Sequence, residues 1–241
     1  MPHIKAISIS DRKGIRKKNI ESVNLIENFG LENDAHGGKW HRQVSFLAEE
    51  SIESMRQKGL QVVAGNFAEN ITTEGINLCS LTVGTHIRVG STELIISQLG
   101  KVCHSPCAIY HQAGDCVMPR EGIFGVVKKG GLIRVGDPIE VLDEHSDSVA
   151  IIGSQSTEKE LGEELVKLVA EKWQPGFIRF DTLKTKEDNL LPVLDDLIDA
   201  QHVSRIILFD PSGKHALAMA GKSSGSCDLF YCKTIEELKA T

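Results

Sequence analysis

Short apolar stretches separated by turn signals constrain the first 142 residues more than any other feature. IKAISIS, QVSFLA, THIRVG, TELIISQL, FGVV and LIRVGDPIEVL are all of strand length, and glycine punctuates the region at 65, 75, 84, 90, 100, 122, 125, 130, 131 and 136. Many short strands joined by glycine turns predict a closed β-barrel or a sandwich. Gly130-Gly131, between FGVVKK and LIRV, reads as a hairpin turn. One helix is expected over Ala48–Lys58, where EESIESMRQK precedes Gly59.

The pattern changes after the polar joint DEHSDS. VAIIG, GFIRFDTL, RIILFD and DLFYCK read as strands, and STEKELGEELVKLVAEKW, KEDNLLPVLDDLIDA and TIEELKA as helices. Alternating strands and helices predict a small α/β domain with a parallel sheet. In its first helix Thr157 is the expected cap, with Glu160 three residues on as in a capping box. The expected organisation is therefore a barrel domain over 1–142 and an α/β domain over 149–241. Charge follows the same division. Residues 1–142 hold 16 Lys and Arg against 15 Asp and Glu, and residues 143–241 hold 11 against 18. Neither part has the basic excess that nucleic-acid binding needs, so no nucleic-acid partner is expected.

No apolar run approaches the roughly 20 residues of a membrane helix. The opening MPHIKAISIS lacks a secretory signal's apolar core. A cytoplasmic location is the default, with no membrane partner. The six cysteines, at 79, 103, 107, 116, 227 and 232, are then expected as reduced thiols.

Three segments carry chemistry. GLENDAHGGKWHRQVS places His36, Lys39, His41, Arg42 and Gln43 around paired glycines, a composition suited to a phosphate or oxyanion, though polar hairpin loops share it. GNFAENITTEG contributes Asn70, at a strand end where Asn and Thr usually serve turns. QLGKVCHSPC follows a strand directly. There Lys101 and His104 flank Cys103 and favour its thiolate, which is both the nucleophile and the soft metal ligand. Cys107 and a zinc reading of Cys-x3-Cys compete, but a structural zinc site wants a second ligand pair. Arg120 follows in MPREGIF. Cys79, Cys227 and Cys232 are assigned to packing.

GLENDAHGGKWHRQVSFLAEESI, GNFAENITTEGINL, LTVGTHIRVGSTELIISQLGKVCH and EGIFGVVKKGGLIRVGDPIEVL stand in one order. Together they resemble the MOSC family, named for the C-terminal domain of molybdenum cofactor sulfurases, over about residues 4–142. The resemblance implies a closed, mostly antiparallel β-barrel that handles the molybdenum cofactor (molybdopterin) through a cysteine that carries sulfur or ligates molybdenum. Cys103, five positions after Gln98, matches that cysteine best, and Cys107 nearly as well. The implied catalytic set is Cys103, Cys107, Lys101 and His104, with Cys103 as the metal ligand. The implied cofactor contacts are His36, Lys39, His41, Arg42, Gln43, Asn70 and Arg120.

Asn33 departs from the family's usual glycine before Asp-x-His. No pyridoxal phosphate is expected, so sulfur would come as a persulfide from a cysteine desulfurase. The alternatives are a storage or delivery protein, or a reductase of N-hydroxylated compounds working with a redox partner. Residues 149–241 resemble a degenerate molybdopterin-binding domain in their order of strand and helix, without its glycine-rich pterin loop; the alternative is an unrelated α/β appendage.

Overall fold

A computed structural model describes residues 1–101, 108–183, 190–215 and 227–241. Its contacts divide the chain into two units, Met1–His145 and Ser146–Thr241. The first unit runs β1 (His3–Ile9), β2 (Lys18–Ile20), β3 (Ser22–Ile26), β4 (Gly30–Leu31), β5 (Val44–Ala48), α1 (Glu49–Gln57) and β6 (Ile71–Glu74). After a single turn at Leu78–Ser80 come β7 (Thr85–Val89), β8 (Thr92–Leu99), α2 (Ala108–Ala113), α3 (Met118–Glu121), β9 (Ile123–Lys129), β10 (Gly131–Arg134) and β11 (Ile139–His145).

Eight of these strands form one sheet in the order β11-β7-β8-β9-β5-β6-β1-β2. Every pairing in it is antiparallel except β5 with β6. That parallel step needs a crossover, and α1 is part of it. A second, three-stranded sheet has the order β10-β3-β4.

The expectation of a closed barrel is corrected. The large sheet is a curled, open half-barrel whose end strands, β2 and β11, share no ladder. Closure requires continuous pairing between the last strands. Here β2 has three residues, and the approach of β1 to the start of β11 is a single bridge, His3 to Pro138. That bridge is held by the Ile4 N–H donating to the Asp137 carbonyl and the Ile139 N–H donating to the Pro2 carbonyl. The hairpin expected at Gly130-Gly131 is also corrected. Strands β9 and β10 belong to different sheets, so the two glycines carry the chain from one to the other.

Strand β5 explains why VSFLA is apolar without alternation: all five of its residues are buried. Val44 and Phe46 join Ile4, Ile87, Leu94, Ile96 and Val127 in the main core. Leu47 faces the other way and packs with Ile52 and Met55 of α1, Met118 of α3 and Phe124. Burying a side chain such as Phe46 or Leu47 contributes about 1.5–3 kcal/mol.

The second unit runs β12 (Ser148–Ser154), α4 (Gln155–Trp173), β13 (Phe177–Leu183), α5 (Leu190–Asp195, continued by a π turn at Asp196–Ala200), β14 (Arg205–Phe209), β15 (Asp228–Cys232) and α6 (Ile235–Ala240). Its strands are all parallel, in the order β13-β12-β14-β15. Alternate residues of β12 feed opposite faces. Val149 and Ile151 pack on Leu165 and Val169 of α4, and Ala150 and Ile152 pack on Leu194 and Leu197. A cavity of about 610 Å³ opens beyond the ends of β12 and β14, lined by Ser154, Thr157, Asp210 and His215 among others. Among the described residues no helix is long and apolar enough to cross a membrane.

The cap of α4 is corrected from Thr157 to Ser154, whose Oγ accepts from the Thr157 N–H at 3.1 Å. Strand β12 ends on Ser154 with extended backbone, so the helix starts one turn before the expected capping box. Ser154→Ala is therefore expected to lower the stability of the second unit by about 1 kcal/mol. Glu160→Ala, on the exposed helix surface, should change it by less than about 0.5 kcal/mol. Urea unfolding of both variants checks this, and the reverse order would restore the Thr157 cap.

Candidate functional site

The loop between β4 and β5 is organised by one carboxylate. Asn33 sits at φ 61, the left-handed region where Asn is among the best-tolerated side chains, so it serves in place of glycine. The next residue, Asp34, has a fully buried side chain. Its Oδ2 accepts from Lys17 Nζ at 2.8 Å and from Asn70 Nδ2 at 3.0 Å, and its Oδ1 accepts from the Ser10 N–H at 2.9 Å. His36 Nδ1 lies 3.7 Å from Oδ1. Lys17 is as buried as Asp34. Burial pushes the Asp34 carboxyl up, but the neighbouring His36 imidazole and hydrogen bonds from Lys17, Ser10 and Asn70 outweigh it and hold it well below the usual carboxylate range.

Asn70 extends this network into the sheet. It donates to the Ser8 carbonyl at 3.1 Å, and its Oδ1 accepts from Ser45 Oγ at 2.9 Å and from the Ser45 N–H at 3.2 Å. Glu69, beside it, is fully buried and accepts from the Gly65 and Phe67 N–H groups and from Thr72 Oγ1. Burial raises its pKa against those three donors.

A second cluster forms around Gln98 at the end of β8. Its Oε1 lies 2.9 Å from His41 Nε2 and 3.4 Å from Arg42 Nη1, while its Nε2 donates to the Gly100 carbonyl at 2.7 Å. Ser97 Oγ donates to the His41 carbonyl, and the Arg42 guanidinium lies 4.7 Å from the centre of the Trp40 ring. Ser45 and Gln98 both pair with Phe124, so the two clusters share one face of the sheet across β9.

Beyond Gln98 the chain must turn sharply. Gly100 has φ +66, and a Cβ there would lie 2.3 Å from the Pro119 carbonyl oxygen. Its N–H donates to Gly122 and that of Lys101 to Pro119, which pins the exit of β8 against α3. Lys101 is exposed. Cys103, His104 and Cys107 lie outside the described residues.

The structure thus joins His36 with Asn70 through Asp34, and His41 with Arg42 through Gln98. Lys39 is exposed on the same loop. Gln43 accepts from the Val127 N–H at 2.9 Å and so completes the backbone pairing of β9. Arg120 turns to Asp115 with two bonds of 2.6 and 3.1 Å. Sequence reasoning missed Lys17, Ser10 and Glu69. Lys17 stands in RKKN, where nothing separates a buried ammonium from its solvated neighbours. Cys79 is corrected from packing to exposed, on the Leu78–Ser80 turn. Cys227 and Cys232 are buried, and burial pushes the Cys227 thiol up to about 11.

Residues 33–140 match the family model of the MOSC domain. The first unit carries a MOSC domain. The match begins at Asn33, so Asp34 takes its buried partners Lys17 and Ser10 from outside the matched stretch. Among solved structures, YiiM from Geobacillus stearothermophilus is 20% identical, with 59% of this chain and 76% of that one covered and a TM-score of 0.46. YiiM from Escherichia coli is also 20% identical, with 61% and 72% covered and a TM-score of 0.44. No curated protein matches the chain.

Asp34→Asn is expected to cost about 3–5 kcal/mol, because it leaves the Lys17 ammonium buried without its counter-charge. Adding Lys17→Met should recover part of that loss. Because the folded-state pKa of Asp34 is depressed, its contribution is complete above about pH 4 and disappears as pH falls further. Urea midpoints between pH 7 and pH 3 check both points. A double variant no more stable than Asp34→Asn would refute the pairing argument.

Proposed function

We propose that the MOSC unit holds the molybdenum cofactor and that the Cys103 thiolate carries sulfur for it or ligates its molybdenum. The observation that carries this reading is the MOSC match itself, which spans the His36–Arg42 loop, Gln98 and the Cys103–Cys107 stretch. The donor set fits the group. His36, Lys39 and Arg42 lie on one partly exposed loop, and cations of this kind suit the phosphate of a pterin cofactor. When bound, the cofactor supplies a molybdenum centre that accepts a sulfur ligand or changes redox state.

The chain's own residues have separable tasks in this reading. Lys39 and Arg42 bind the phosphate, with His36 held beside Asp34. Gln98 orients His41 and Arg42. Lys101 and His104 stabilise the thiolate by charge. If the thiolate carries sulfur, a cysteine desulfurase supplies it as a persulfide on Cys103.

The test is the metal and pterin content of protein purified from molybdate-fed cells. Wild type should hold molybdenum with pterin fluorescence, Cys103→Ser should hold less than about a tenth of it, and Cys107→Ser should match wild type. Arg42→Ala combined with Lys39→Ala should lower loading about tenfold, in line with the loss of two charge-assisted contacts. Stoichiometric zinc without pterin would refute the reading. Normal loading of Cys103→Ser beside a failed Cys107→Ser would move the role to Cys107.

A further inference from the structure

Away from these clusters, three adjacent strands bring one imidazole and two carboxylates together. We infer that His86 of β7, Glu93 of β8 and Glu144 of β11 form a binding site for a divalent transition-metal ion. Nδ1 of His86 lies 2.8 Å from Glu93 Oε1 and 3.8 Å from Glu144 Oε2, and the three donor atoms all lie within 4.8 Å of one another. His86 is 3% exposed.

The sheet builds this arrangement by two different devices. His86 pairs with Ile95 and Arg88 with Glu93, so Glu93 reaches His86 diagonally on the face opposite Ile87, Val89, Leu94 and Ile96 of the main core. On the other side, Val141 pairs with Ile87 and His145 with Thr85, so β11 advances four residues where β7 advances two. Such bulges re-aim side chains, and Glu144 lies within this one.

Two carboxylates thus converge on one imidazole. Arg88 stands directly opposite Glu93 but pairs with Glu140. One Nδ1–H can satisfy Glu93, while Glu144 at 3.8 Å is beyond hydrogen-bond reach. An ion with ligand bonds of about 2.0–2.2 Å would sit among three donors spaced in this way and neutralise both carboxylates. On binding, the Nδ1 proton leaves for solvent or moves to Nε2, and the freed lone pair takes the metal. One nitrogen and two oxygens without sulfur suit Zn²⁺, Co²⁺, Ni²⁺ or Mn²⁺ rather than Cu⁺. Three protein ligands also leave a position open for water or a small ligand. The ion would fasten the end of the edge strand β11 to β7 and β8.

Co²⁺ titration of the full chain tests this, because cobalt reports its ligands spectroscopically. One equivalent should bind with d–d bands and without the intense near-ultraviolet charge transfer of a thiolate ligand. Glu93→Gln and Glu144→Gln, both substitutions at partly exposed side chains, should each weaken binding about tenfold or more. Zn²⁺ should raise the melting temperature of wild type more than that of Glu144→Gln at the same concentration. No saturable binding, unchanged binding in Glu144→Gln, or a sulfur charge-transfer band lost in Cys103→Ser would each overturn the site.

Discussion

The buried pair between Lys17 and Asp34 is the constraint on which the MOSC unit depends. Two charges removed from water cost several kcal/mol each unless hydrogen bonds complete them. Here the bonds that complete them come from distant parts of the chain: Ser10 after β1, Asn70 before β6, and Asp34 itself between β4 and β5. Satisfying one carboxylate therefore fixes three segments against one another. The loop that carries His36, Lys39 and Arg42 inherits its position from that requirement.

Gln98 does for the other half of the site what Asp34 does for the first. A neutral amide offers one acceptor and one donor group, and Gln98 spends the first on His41 and Arg42 and the second on Gly100. Those contacts tie the cationic loop to the exit of β8, which leads into the cysteine stretch. Gly100 completes the device, since its positive φ and the closeness of Pro119 exclude a side chain. Phe124 lies between the clusters, paired with both Ser45 and Gln98, so strand register sets their separation.

The second unit follows different rules. Its four parallel strands are covered on both faces, and the order β13-β12-β14-β15 reverses direction at β12. In open α/β sheets crevices form outside the carboxyl ends of the strands at such a point. The cavity lined by Ser154, Thr157 and Asp210 lies there. Asp210 is held below the usual carboxylate range: burial pushes it up, but Ser212 and His215 pull it down more.

Local pattern alone determined much of this protein. The strand-length runs, the helix after β5, the parallel α/β layer and the order of the MOSC motifs were all legible, because period and turn chemistry are properties of neighbouring residues. Asn33 shows the limit of that legibility: the departure from glycine in sequence sits at φ 61, in the left-handed region that glycine enters most easily. Tertiary structure alone decided the open edge between β2 and β11, the passage of Gly130-Gly131 between sheets, and the burial of Lys17. It also decided the convergence of His86, Glu93 and Glu144 through a bulge. Each of these depends on which strands become neighbours and in what register. A lysine in RKKN or a glutamate in DEH carries no trace of the partner that another strand will bring to it.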